Sequence, residues 1–171
     1  MRSFRVDMII ILDDIIDLKS NFQRDSMRVL DELNEPNINE KWYSLDEQHP
    51  FDNFCNSMIG VANQFINLDS CVGYEFWTQK NTRPSKWHQD KDEQLNGNES
   101  ILSFPLCSMV YYLIVENLEG GQLHVEDDII TPKTNRLVIF SPGKNHYVQP
   151  YTGTRISMLV NPWDRVLNKS N

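Results

Sequence analysis

Apolar and polar positions change rhythm along this chain. Val6 to Leu12 is an unbroken apolar, β-branched run ended by Asp13-Asp14, the pattern of a buried strand. From Ile15 to Leu33 the apolar positions Ile15, Ile16, Leu18, Phe22, Met27, Leu30 and Leu33 fit one or two helices packed on one side. Glu35-Pro36-Asn37 closes that segment, and Ile38 to Pro50 reads as a connection. Phe51 to Leu68 returns to steps of three and four, through Phe51, Phe54, Met58, Val61, Ala62, Phe65 and Ile66. This stripe predicts a helix laid against a sheet.

After residue 70 the pattern becomes one of short strands. Cys71 to Gln79 alternates aromatic and polar residues, and His88 to Asp90 forms a short extended piece. Leu106 to Val115 is a strongly apolar strand. Gly121 to Glu126, Ile129 to Thr131, Arg136 to Phe140, Asn145 to Gln149 and Thr154 to Val160 follow, before Pro162. Asn81 to Ser85, Gln94 to Ser100, Asn117 to Gly121 and Ser141 to Lys144 read as loops or turns. The expected class is mainly β with supporting N-terminal helices, its strands closing as a sandwich or barrel. No internal boundary is placed. The chain is read as a single domain over 1–171, with strand and helical support in 1–69 and the β core in 70–163.

Composition narrows the functions. A length of 171 residues allows a real core, and 40% hydrophobic with 23% charged residues is globular. A net charge of −8 disfavours broad binding to a phosphate backbone. Three widely spaced cysteines, Cys55, Cys71 and Cys107, form neither a disulfide framework nor a Cys-x-x-Cys pair, which suits reduced thiols in a cytoplasmic protein. The apolar run at Met8 to Leu12 is too short for a signal core or a bilayer span, so no membrane association is expected.

The chemistry centres on His88-Gln89-Asp90. On an extended strand, residues i and i+2 share a face, so an imidazole and a carboxylate converge. That is two thirds of a 2-His-1-carboxylate set, the ligand pattern of non-haem Fe(II) oxygenases. His146 follows the Ser-Pro-Gly-Lys turn and supplies a candidate third ligand. Nine residues later comes Arg155, with Ser157 on the same strand face. An arginine facing the inside of a barrel needs an anion, and its planar fork suits a carboxylate. Tyr112 could add a phenol donor to that carboxylate, while Tyr111 should face the other way into the core. His49 and His124 are read as structural or surface residues. Tyr74 and Trp77, on the strand before the metal motif, are candidates for the pocket wall and equally for core packing.

With these residues in place, the chain resembles the 2-oxoglutarate- and Fe(II)-dependent dioxygenases, most of all the prolyl hydroxylase branch. The resemblance spans roughly residues 71 to 163. It rests on His88-Gln-Asp90, Val110-Tyr-Tyr112-Leu113, Gly120-Gly121-Gln-Leu123, Arg136-Leu-Val-Ile-Phe140, His146-Tyr-Val148-Gln-Pro150 and Thr154-Arg155, in that order. It implies a double-stranded β-helix core of jelly-roll or cupin type, with His88, Asp90 and His146 as metal ligands and catalytic centre. It implies Fe(II), 2-oxoglutarate and O2, with ascorbate as a supporting reductant. Arg155 and Tyr112, with Ser157 as a secondary donor, would bind the distant carboxylate of 2-oxoglutarate. The implied reaction hydroxylates a C–H bond while 2-oxoglutarate becomes succinate and CO2. The substrate would be a protein or peptide residue, prolyl first, or else a free amino acid, small metabolite or nucleobase. A catalytically silent β-helix protein that only binds is the third reading. One departure stands out: prolyl hydroxylases often carry a tryptophan near the substrate on the final strand, and spacing from Arg155 puts Asn161 there, with Trp163 two residues on. Substrate choice would then fall to the pocket residues Tyr74, Trp77, Asn161 and Trp163 and to loops at Asn37–Pro50, Gln79–Ser85 and Lys91–Ser100.

Overall fold

A computed structural model describes residues 7–17, 21–32, 38–80 and 85–167. Its elements run β1 (Ile9–Asp13), α1 (Phe22–Glu32), β2 (Lys41–Ser44), α2 (Asp52–Ala62), β3 (Gly73–Lys80), α3 (Glu93–Glu99), β4 (Ser108–Gly120), β5 (Leu123–Val125), β6 (Asp128–Ile130), β7 (Arg136–Phe140), β8 (His146–Val148) and β9 (Tyr151–Trp163). A six-stranded sheet in the order β1-β7-β4-β9-β3-β2 faces a three-stranded sheet in the order β6-β5-β8. All pairings are antiparallel. The core is thus a double-stranded β-helix, with α1 and α2 packed on one face of its larger sheet. No helix among the described residues is long and apolar enough to cross a membrane.

The period-2 geometry of strands sorts side chains into two cores. On β4, Met109, Tyr111 and Leu113 join the cluster shared with Phe54, Met58 and Leu30 from the helices. Val110 and Tyr112 point the other way, toward Leu123, Val125 and Val148 of the smaller sheet. The expected opposition of Tyr111 and Tyr112 is therefore present. The Tyr111 hydroxyl donates to Asn135 Oδ1 at 3.0 Å, and its ring meets Phe54 with centroids 5.3 Å apart. Asn135, at φ 63°, also receives Ile16 N–H on Oδ1 and donates Nδ2–H to the Ile16 carbonyl. One side chain thereby pins the chain after β1 to the start of β7. At the crossing from β4 to β5, Gly120 takes φ 82° and passes against the Pro150 carbonyl, where a Cβ would collide.

Several boundaries differ from expectation. Gln94 to Ser100 is helical at Glu93–Glu99: the Asp92 side chain caps it by accepting from Leu95 N–H at 2.9 Å, and Ser100 closes it in a left-handed conformation. This short helix buries none of its residues, so no hydrophobic period announces it. The connection Ile38 to Pro50 contains edge strand β2, paired with β3. His88 is not in a ladder but makes an isolated antiparallel bridge to His146. Strand β4 continues through Asn117, with register shifts after Tyr112 and after Glu116. Strand β9 runs through Pro162, whose carbonyl accepts Leu106 N–H at 2.7 Å on the β4 side. The proline nitrogen faces that side too, beyond where β4 pairs, so no ladder bond is lost. Helices α1 and α2 are shorter than the stripes suggested; Leu18, Leu33 and the Glu35-Pro36-Asn37 stop lie outside the described residues.

Candidate metal centre

His88, Asp90 and His146 meet where the two sheets open. The reciprocal backbone bonds of the His88–His146 bridge, at 3.0 and 2.9 Å, set the two histidines side by side. Their rings lie 4.2 Å apart. Each ring is turned by the same device. His88 Nδ1 sits 2.7 Å from the Lys86 carbonyl and His146 Nδ1 sits 3.1 Å from the Lys144 carbonyl, so each Nδ1–H is held by a carbonyl and each Nε2 is turned toward Asp90. Asp90 is anchored from the larger sheet: the Ser108 hydroxyl, at the first residue of β4, donates to Oδ2 at 2.6 Å. Oδ1 then lies 3.5 Å from His146 Nε2 and 3.9 Å from His88 Nε2.

All three ligand atoms lie within 4.8 Å of one another. Two imidazole nitrogens and a carboxylate oxygen gathered this closely can hold one Fe(II) ion and leave it open positions. Burial pushes the Asp90 carboxyl up, but the bond and charge of His146, the Ser108 hydroxyl and His88 outweigh it and hold Asp90 down to about 2. Burial pushes His146 down, and the Asp90 carboxylate more than reverses that. Gln89, between the two ligands, donates to the Gly143 carbonyl at 2.6 Å, tying the loop to the turn before His146.

A cleft of about 230 Å³ runs inward from this triad, lined by Trp77, Ser108, Leu123, Arg155, Leu159 and Asn161 among others. Its deep end is polar. Arg155 is 1% exposed, and its guanidinium carbon lies 5.0 Å from the centre of the Tyr112 ring. Tyr112 pairs with Ser157 across β4 and β9. Both hydroxyls are buried and lack hydrogen-bond partners. Burial raises the Tyr112 phenol against the pull of Arg155, so it remains a donor. Tyr112 lies four residues along β4 from Ser108, roughly 13 Å at ~3.3 Å per residue. Two idle buried hydroxyls beside a buried cation, set inward of a metal triad, fit a dicarboxylate reaching from the ion to the guanidinium.

The family follows from a match to the 2OG-Fe(II) oxygenase superfamily over residues 76–163, just over half of the chain. This chain belongs to the 2OG-Fe(II) oxygenase superfamily. Its cofactor is Fe(II), and its cosubstrates are 2-oxoglutarate and O2. Solved structures share the fold. A prolyl-4-hydroxylase from Pseudomonas putida superposes with a TM-score of 0.69 at 17% identity, covering 94% of this chain and 95% of that one. The viral collagen prolyl hydroxylase of Paramecium Bursaria Chlorella virus-1, as its 2-oxoglutarate complex, gives 0.61 at 15% identity, covering 91% and 95%. A prolyl hydroxylase from Trichoplax adhaerens, in complex with a hypoxia inducible factor oxygen degradation domain peptide fragment, gives 0.63 at 16% identity, covering 96% and 89%. Among curated proteins none matches the sequence significantly.

The remaining candidates divide by strand face. Trp77 and Asn161 line the cleft. Tyr74 does not: three residues before Trp77, it takes the opposite face of β3, where its hydroxyl meets His49 Nε2 at 2.9 Å in the helix-side core. Trp163 is fully buried behind the cleft wall, and its indole N–H donates to Glu75 Oε2 at 2.8 Å. His124 stacks on Tyr147 away from the triad, with centroids 4.4 Å apart. Sequence reasoning missed Ser108, although a serine opening an apolar strand is a signal. It also missed Glu75, a carboxylate inside the aromatic run Tyr74-Glu75-Phe76-Trp77.

Proposed function

We propose that this oxygenase hydroxylates a C–H bond of a protein or peptide residue, prolyl as first choice, coupled to conversion of 2-oxoglutarate to succinate and CO2. The observation that carries the reading is one cleft lined both by the His88–Asp90–His146 triad and by the buried Arg155, with the Tyr112 ring beside that guanidinium and Ser157 paired with Tyr112 across β4 and β9. In this reading the triad holds Fe(II), which supplies the oxidising chemistry with O2 when bound. Ser108 and the Lys86 and Lys144 carbonyls orient the ligands. Arg155 pairs with the far carboxylate of 2-oxoglutarate, and Tyr112 gives it a directional bond. Substrate approaches on the side of Trp77 and Asn161. The prolyl choice is supported by the overall likeness to structures named as prolyl hydroxylases. The three free cysteines suit a cytoplasmic setting.

A second reading, a free amino acid or other small metabolite, is favoured by Asn161 in place of a tryptophan at the cleft wall and by the modest cleft volume. Mass spectrometry of proline-containing peptides and of amino acids, after incubation with enzyme, Fe(II), ascorbate and 2-oxoglutarate, separates the two. The proposal expects a gain of one oxygen mass on a peptide proline. Oxidation confined to free amino acids would replace it with the second reading.

A further inference from the structure

One residue of the cleft wall carries a buried acceptor that nothing in the fold serves. Asn161 is 1% exposed and lines the cleft, and its Oδ1 is buried with no hydrogen-bond partner. By the two-residue period of a strand it shares a face of β9 with Arg155, Ser157 and Leu159. Arg155 is six residues back along that strand, roughly 20 Å at ~3.3 Å per residue. Leu159, with Trp77 opposite it on β3, stands between the two and also lines the cleft. The amide is therefore remote from the guanidinium.

Register places it at the metal end instead. Met109 pairs with Val160, which puts Asn161 beside Ser108, the residue that anchors Asp90. Two donors that the strands bring to this end are already committed. The Ser108 hydroxyl donates to Asp90 Oδ2 at 2.6 Å, and the Trp163 indole donates to Glu75 Oε2 at 2.8 Å. An amide oxygen buried bare costs stability, and a donor that arrives with a ligand recovers that cost. 2-Oxoglutarate cannot be this ligand, because its two carboxylates and its keto oxygen are all acceptors. The donor must come with the molecule that is oxidised.

We propose that Asn161 is a specificity-determining residue whose amide oxygen accepts a hydrogen bond from an N–H of the substrate, held beside the C–H bond that is oxidised. This rests on the oxygenase reading and narrows its substrate class to molecules with an N–H close to the reacting carbon. The N–H can be the backbone amide that follows the target residue in a peptide, or the amine of a free amino acid. A substrate lacking it leaves Oδ1 bare in the closed complex. Selection is then by a missing bond, which discriminates more sharply than a difference in apolar fit.

The test uses the whole protein loaded with Mn(II) and 2-oxoglutarate without O2, a state that binds but does not turn over. Matched probes are titrated by intrinsic tryptophan fluorescence and calorimetry. In one set, proline-containing peptides differ only in the bond after the proline, an amide or an ester whose oxygen replaces the N–H. In the other, free proline and leucine are compared with their fully N-methylated betaines, which keep the positive charge and lose every N–H. The N–H member is expected to bind about fivefold or more tighter than its counterpart in at least one set. Preference among the peptides assigns the backbone amide; preference only among the amino acids assigns the amine. Asn161→Leu should erase the preference by weakening the N–H probe alone. Asn161→Ser, which is smaller and does not depend on N161L folding, should reduce it in the same way. Equal binding within both sets, an unchanged preference in either variant, an equal loss for both members of a pair, or no binding by any N–H probe overturns the proposal. Absence of 2-oxoglutarate decarboxylation in the Fe(II) enzyme would instead overturn the oxygenase reading, and the two failures are read in separate experiments.

Discussion

Arg155→Ala tests whether the buried guanidinium exists for the cosubstrate. Arg155 is 1% exposed, with Tyr112 and Tyr151 rings 5.0 and 5.9 Å from its guanidinium carbon. In this dry setting, removing one side of a buried charge pair costs about 3–5 kcal/mol. At ~1.4 kcal/mol per decade, 2-oxoglutarate affinity should fall by roughly two to three and a half orders of magnitude. The assay is calorimetric titration of 2-oxoglutarate into Mn(II)-loaded protein without O2. A ligand control isolates the contact: 2-oxobutyrate, which lacks the distant carboxylate, should bind weakly and equally to wild type and variant. Arg155→Lys keeps the charge but loses the planar fork, so it should fall between them. Mn(II) affinity should not change, because the triad lies at the other end of the cleft. A drop in 2-oxoglutarate affinity of less than threefold, or an equal loss for 2-oxobutyrate, would refute the assignment.

Four further variants each test one side chain. Ser108→Ala removes the 2.6 Å bond to Asp90 Oδ2 and should weaken Mn(II) or Fe(II) binding about 10- to 100-fold in a metal titration, with the fold intact by circular dichroism. The adjacent tyrosines should separate stability from binding. Tyr111→Phe loses the bond to Asn135 and should lower stability by ~1 kcal/mol in urea melts without changing 2-oxoglutarate affinity. Tyr112→Phe should leave stability unchanged or raised, since it removes an idle buried hydroxyl, while 2-oxoglutarate affinity falls roughly 2- to 10-fold. Asp13 is held well below the usual carboxylate range, chiefly by its bond to Arg136 at 2.7 Å, with Lys133 adding to it. Because its folded value is depressed, its contribution is present above pH ~4 and lost as pH falls toward the folded value. With the side chain 36% exposed, solvent screening limits that contribution to at most ~1 kcal/mol. Asp13→Asn should therefore lower stability at pH 7 and flatten its loss below pH 4, measured by urea melts across pH.

Residues with a periodic or chemical signature were legible in the sequence, and residues positioned by tertiary context were not. The alternation Met109–Val110–Tyr111–Tyr112 was readable because each face of β4 meets a different core. The triad was readable because its chemistry needs those residue types in that order. Its geometry was less so: His88 and Asp90 converge through one bridge to His146 and one hydroxyl from Ser108, not through a regular strand. Helix α3 escaped notice because caps rather than a buried stripe stabilise it. Pro162 read as a strand stop, yet its nitrogen faces a side where β4 no longer pairs. Proximity in sequence leaves Tyr74 open between pocket wall and core; the parity of the strand sends it to the helix-side core. Glu75 belongs to the cleft by that same parity, and the Trp163 indole that holds its carboxylate reaches it only through the β3–β9 pairing.

The central claim is an Fe(II) site built by His88, Asp90 and His146 that turns over 2-oxoglutarate. Its most direct measurement is succinate formed from 2-oxoglutarate by the purified protein with Fe(II), ascorbate and O2, beside His88→Ala and Asp90→Ala. Fe(II)-dependent succinate in the wild type and its loss in both variants is the expected result. No succinate from the Fe(II)-loaded wild type, or equal succinate from the variants, would contradict it.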